Sequence, residues 1–196
     1  MLTEKEPGTR LRVMRMSVKS FGFWFGACFL SSLNGGCRSM NVQVYKNEKP
    51  VLVLENYLNG TLDAYGLFQD RFGLVKKRFH AVIQASWKDG VGTLDEDFSW
   101  SDGTRSKRIW TIRKLADQRY QGTAADVIGE AQGEASGNAL RWTYRLALDV
   151  DGKTYNVDFD DWMFLMNDRI MLNRSVMKKW GVHLGEVLLT FVKRDP

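Results

Sequence analysis

"RFHAVIQASWKDGVGTLDEDFSWSDG", residues 78–103, alternates apolar and polar side chains through two runs, each closed by an Asp-Gly pair. In the first run Phe79, Ala81, Ile83, Ala85 and Trp87 share one face. Arg78, His80, Gln84, Ser86 and Lys88 share the other, with Val82 the exception. In the second run Leu94, Glu96, Phe98 and Trp100 lie opposite Thr93, Asp95, Asp97 and Ser99. Successive side chains of an extended chain point to opposite faces, so a period of two marks a strand with one buried side. Asp-Gly between two such runs is a hairpin signal, because both turn positions favour residues that tolerate a left-handed backbone.

Outward from this hairpin the same texture continues. "RSKRIWTIRK" leads through a turn near "LADQ" to "RYQGTAADVIG". "ALRWTYRLALDV" places Leu140, Trp142, Tyr144, Leu146 and Leu148 on one face, with Arg141, Thr143 and Arg145 opposite. After "VDGK" come "TYNVDFDDWMFLM", "RIMLNRSVM" and "GEVLLTFVKR". No helical pattern of about 10–15 residues intervenes, which argues against parallel strands joined by helices. The pattern predicts one all-β domain over residues 61–196, with eight to ten antiparallel strands, each joined to the next by a tight turn. Closure removes exposed strand edges, so an up-and-down barrel is the simplest architecture, and an open sandwich is second. Little helix is expected, and then only near 173–181 or in the lead-in at 50–58.

Upstream, "RLRVMRMSVKS" is basic, and an apolar run of about 13 residues follows from Phe21 to Leu33, ending in "NGGC". A membrane-spanning helix needs about 20 apolar residues, whereas a secretory signal peptide uses about 7–15 behind a basic start. Residues 1–36 read as that signal, and residues 37–60 as the lead-in to the barrel. Small residues before a cysteine resemble the lipobox of bacterial lipoproteins, which implies cleavage before Cys37 and diacylation of its thiol. "FGAC" at Cys28 is the competing match, and an uncleaved anchor or a buried helix are the alternatives. Met14 and Met16 are alternative starts to Met1. Arg38 is not Asp, so the sorting rule implied by resemblance to enterobacterial lipoproteins points to the outer membrane. Residues 1–36 carry five bases against two acids, leaving +2 of the net +5 for the rest. With no concentrated basic patch, no nucleic-acid partner is expected.

"GLFQDRFG", "GTLDEDFSWSDG", "GTAADVIGEAQGEASGNAL", "VDFDDWMFLMND" and "LNRSVMKKWGVHLGEV" together resemble an uncharacterised proteobacterial lipoprotein family, domain-of-unknown-function family 3833. "CRSM" at 37–40 matches the start typical of its mature chains. The resemblance implies a calycin-like, lipocalin-related barrel and points to lipid, with no established activity.

No Gly-rich phosphate loop, GxSxG elbow or HExxH helix occurs, His80 and His183 have no ligand spacing, and neither metal nor cofactor is expected. No catalytic residue is assigned. Glu96 shares an apolar face and needs a partner if that face is the lumen, because an isolated buried carboxylate is costly. "DFDDW" places Asp158, Asp160 and Trp162 on one face and Phe159 and Asp161 on the other, so one face brings acid into an aromatic setting. The candidate ligand contacts are Glu96, Trp100, Trp110, Trp142, Asp158, Asp161 and Arg141, with Arg141 or Arg145 as counter-charge. The expected function is an outer-membrane-anchored periplasmic lipoprotein that binds an apolar or lipid-like ligand, such as a fatty-acid-like molecule, in the barrel lumen. An enzyme acting on a lipid or small carbonyl compound through Glu96 or the Asp158/Asp160/Asp161 cluster is the alternative, and a ligand-free scaffold is the third. A roomy lumen would favour the first two, and two carboxylates facing one apolar pocket would favour the enzyme.

Overall fold

A computed structural model describes residues 40–195 except 117 and 151. Cys28, Cys37 and the segment 1–36 expected to be a signal peptide lie outside the described residues. Ten strands run antiparallel: β1 (Gly60–Asp70), β2 (Val75–Lys88), β3 (Val91–Trp100), β4 (Arg105–Lys114), β5 (Arg119–Thr123), β6 (Ala131–Ser136), β7 (Ala139–Val150), β8 (Lys153–Leu165), β9 (Ile170–Lys179) and β10 (Val182–Lys193). Each pairs with its neighbours in sequence, and β1 pairs with β10, so the sheet closes into a barrel. The up-and-down barrel anticipated from period two and short turns is the observed fold.

The alternating faces fall as the sequence dictates. Ala81, Ile83 and Ala85 of β2, Leu94 and Glu96 of β3, and Leu140, Trp142 and Leu146 of β7 are buried in the interior. Asp95 and Asp97 lie on the outer face, where both meet Lys107.

Two local expectations are corrected. Of the two places where short helix was expected, the lead-in at 50–58 holds it, at Leu54–Tyr57, whereas residues 173–179 belong to β9, because Met171, Asn173, Ser175 and Met177 turn inward at period two and the segment is paired on both sides. The expected continuous run "RYQGTAADVIG" stops at Thr123. The chain then bridges Val127 to Leu146 and re-enters the sheet as β6. The inward residues of β6 are Ala131, Gly133 and Ala135, too small to read as an apolar face.

The described lead-in is part of the barrel rather than an appendage. A four-residue helix α1 (Leu54–Tyr57) follows a 3₁₀ turn at Val42–Tyr45, and Leu52, Leu54, Tyr57 and Leu58 join the main core. Leu52 N–H donates to Gly137 O, Tyr57 Oη to Arg169 O and Phe191 O, and Trp87 Nε1 to Leu58 O. Glu55 pairs with Lys114 and accepts from Tyr120 Oη. These contacts plug one end of the barrel, the end that carries the β2–β3, β4–β5, β6–β7 and β8–β9 turns. The other end, with the β1–β2, β3–β4, β7–β8 and β9–β10 turns, has no such plug among the described residues.

Candidate functional site

Inside the barrel is a cavity of about 760 Å³. Its walls run from Leu54 and Leu58 of the plug to Lys76, Lys77 and Trp100 near the other end. Binding pockets for small ligands commonly span about 300–1,000 Å³. The lining is mostly apolar, and its aromatic part is built on glycine. The Trp142 ring lies across Gly122 of β5 and Gly133 of β6, where an added Cβ would come within 2.5 and 2.3 Å of it. Trp110 meets Trp142 edge-on at 5.8 Å and Tyr144 at 5.5 Å, and Tyr144 stacks on Phe159 at 5.0 Å. Only a residue without a side chain leaves room for an indole laid flat against the wall.

Polar groups enter this setting from two sides. Glu96 is 8% exposed and faces Arg108 across the β3–β4 register. Arg108 does not fork onto Glu96. It donates from Nε and Nη2 to Oδ2 of Asp126 at 3.0 and 2.6 Å. That bridge ties β4 to the 124–130 loop, which lies beside β7 where β5 and β6 stop short. Asp126 Oδ1 stays buried without a hydrogen-bond partner. On the other side Asp161, 6% exposed, accepts from Tyr144 Oη at 3.2 Å and from Ser175 Oγ. Asn173 Nδ2 is buried without an acceptor on the cavity wall.

Burial pushes the Glu96 carboxyl up to about 7, and the neighbouring negative charges of Asp126 and Asp95 push the same way while Arg108 opposes them. Burial also pushes Asp161 up to about 7, against the hydrogen bonds from Ser175 and Tyr144 and the charge of Arg108. Burial raises the Tyr144 hydroxyl as well, with the charge of Asp161 adding to it. The lumen therefore holds two carboxyl groups that exchange protons near neutral pH, with one guanidinium acting on both. Among the described residues no three His, Cys, Asp or Glu side chains converge to hold a metal ion.

Of the residues expected from sequence, Glu96, Trp100, Trp110, Trp142 and Asp161 line this one cavity. Arg141 and Asp158 do not reach it. Arg141 pairs with Asp160 at 2.8 and 2.9 Å, and Arg145 pairs with Asp158 at 2.7 Å, both on the outer face. The cause is parity: Arg141 and Arg145 alternate with inward Trp142 and Tyr144, and Asp158 and Asp160 with inward Phe159 and Asp161. The counter-charge in the lumen is Arg108 instead. Arg108, Asp126, Tyr144, Asn173 and Ser175 were not among the expected contacts. Arg108 was within reach, since counting outward from the Ser101–Thr104 turn sets it opposite Glu96. Asp126 sits in a loop with no periodicity to place it.

Arg141→Ala should therefore cost only about 1 kcal/mol or less, the usual range for a partly exposed ion pair. It should leave occupancy of the lumen unchanged. Chemical denaturation and probe titration of the variant check both, and a loss of affinity would place Arg141 back at the site.

The closed ten-strand antiparallel barrel is calycin-like in fold. The chain belongs to the family described as Protein of unknown function (DUF3833), whose model matches residues 31–193. Thirteen chains of known structure match it. One is the S-type phycobiliprotein lyase CPES from Guillardia theta, with a TM-score of 0.52 at 8% identity over 71% of this chain and 90% of that one. At that identity the likeness concerns the fold alone. No curated protein matches the sequence.

Proposed function

We propose that this protein is a lipid-anchored carrier or sensor that holds an amphiphilic, lipid-like molecule in the barrel lumen. In this reading Cys37 bears the acyl chains and the barrel lies on the periplasmic face of the outer membrane. The observation that carries the binding role is the interior cavity of about 760 Å³, apolar around its aromatic wall and polar at Glu96, Arg108 and Asp161. Burying an acyl chain contributes about 0.8 kcal/mol per CH₂, so eight methylenes supply roughly 6 kcal/mol before ordering costs. The polar groups then orient the ligand more than they hold it. Fluorescent fatty-acid analogues titrated into the delipidated protein should bind saturably. Trp142→Ala should weaken that binding at least tenfold, and Glu96→Gln should weaken it less. Absence of binding across several chain lengths would leave the scaffold reading.

The paired carboxylates favour a second reading. Glu96 and Asp161 face one apolar cavity, and a carboxyl titrating near 7 suits general acid–base catalysis at neutral pH. The similar solved structure is named a lyase, a fold-level precedent only. Chemical change of a lumen ligand that is lost in both Glu96→Gln and Asp161→Asn, with binding retained, would decide for the enzyme.

A further inference from the structure

We propose that the unplugged end of the barrel docks onto an anionic lipid bilayer, with Phe72 and Trp180 as the side chains that enter it. Phe72 lies in the β1–β2 turn and Trp180 in the β9–β10 turn, and these turns are neighbours because β1 pairs with β10. Phe72 is 80% exposed and Trp180 89% exposed, with Leu74 and Val182 exposed beside them. Large apolar side chains exposed on neighbouring turns and flanked by charge are the kind of feature that marks an interaction surface.

The Trp180 backbone makes the point sharper. Its φ is 51°, and that of Gly181 is 79°. Two-residue hairpin turns of this geometry favour Asn, Asp and Gly, and a bulky side chain there is disfavoured. Trp180 is thus held at a conformational cost and adds nothing to the core. The barrel gains nothing from it that an asparagine would not give.

Charge identifies the partner. Segments 70–78 and 176–183 hold Arg71, Lys76, Lys77, Arg78, Lys178 and Lys179. Lys76 pairs with Asp70 and Lys77 with Asp102 of the β3–β4 turn, so Arg71, Arg78, Lys178 and Lys179 are the bases of these segments with no ion pair among the described residues. The Arg71 guanidinium lies 4.8 Å over the Phe72 ring, and Lys179 Nζ lies 4.7 Å over the Trp180 ring. Aromatic tips underlain by cations match a bilayer interface, where rings sit at headgroup level and Lys or Arg meets anionic lipid. A second copy of the chain would bring like charge against like charge. The turns of the plugged end (89–90, 115–118, 137–138 and 166–169) carry no aromatic residue. Lys76 and Lys77 also line the cavity, so docking at this end sets the lumen entrance against the bilayer. The docking itself does not depend on what the lumen holds.

The test uses the full chain with Cys28 and Cys37 replaced by serine and a single environment-sensitive dye at Val182→Cys or, at the plugged end, at Asp89→Cys. Mixed phosphatidylglycerol–phosphatidylcholine vesicles should shift the dye emission to the blue at position 182 and not at position 89. The blue shift at position 182, which reports the barrel end and not residues 1–36, should be lost in Phe72→Ser/Trp180→Ser and on pure phosphatidylcholine, because the first removes the inserting rings and the second the anionic headgroups. Circular dichroism verifies that the surface variant is folded. No shift at 182, an equal shift at 89, or insensitivity to the double substitution would overturn the proposal. A shift without vesicles that grows with protein concentration would also overturn it, in favour of self-association.

Discussion

Replacing Trp142 with alanine is expected to lower the stability of the barrel by about 3–5 kcal/mol, the usual cost of emptying a large buried aromatic site. Trp142 is 4% exposed and carries the aromatic wall: Trp110 leans on it, and Tyr144 leans on Trp110. The same seat can be tested from below. A methyl group added at Gly133 would stand 2.3 Å from the indole, so Gly133→Ala must displace it. Overpacking of a dense interior typically costs about 1–3 kcal/mol. In the double variant Gly133→Ala/Trp142→Ala the clash has no partner, so the two losses should fall short of additivity by about 1 kcal/mol or more. Denaturant unfolding of the four proteins measures the cycle, and strict additivity would show that the glycine seat does not hold Trp142.

The second large effect is a dependence on pH that runs opposite to that of most carboxylates. In the folded barrel Glu96 titrates at about 7, above its ordinary 4.5, and Asp161 at about 7, above 3.8. In that interval the folded state keeps protons that the unfolded chain has released, so stability falls as pH rises. The loss begins near the ordinary carboxylate range and is complete above about pH 7, on the order of 3 kcal/mol for Glu96 and roughly 4 kcal/mol for Asp161. Glu96→Gln removes the titration while keeping the shape. It should be more stable than the wild type at pH 8 by roughly that amount, and no more stable at pH 4, where Glu96 is already neutral. Asp161→Asn is less clean, because an amide N–H would face the hydroxyl donors of Tyr144 or Ser175. Denaturation midpoints at several pH values decide the matter. A Glu96→Gln protein with the wild-type slope would mean that Glu96 stays charged in the lumen.

Most of this interior was legible from alternation alone, and the residues that were misplaced show its limits. Glu96, Trp110, Trp142 and Asp161 were found because period two, once one strand is set, leaves no choice of face. Arg141 was placed at the site for its charge although the same alternation puts it outside with Arg145. β6 was passed over because its inward residues are small, and at Gly133 the cause is the Trp142 ring, which lies where a side chain would stand. The helix expected near 173–181 is absent because hydrogen bonds to β8 and β10 override a weak local signal, while Asn173 and Ser175 hide an inward face behind polar side chains. Asp126 comes from a loop, and its place beside Arg108 follows from where β5 and β6 end, which no local pattern states. The plug formed by Leu52, Leu54 and Tyr57 likewise depends on closure of the whole sheet.

A lumen that is a ligand site differs measurably from one that is merely space between strands. Native mass spectrometry of the full chain, extracted gently from its own host, tests the difference most directly. The expected result is protein carrying one copy of a noncovalent amphiphile that is released on denaturation, with occupancy sharply reduced in Trp142→Ala and unchanged in Arg141→Ala. Protein that flies alone under every gentle condition, and whose lumen takes up no acyl probe after delipidation, would contradict the account.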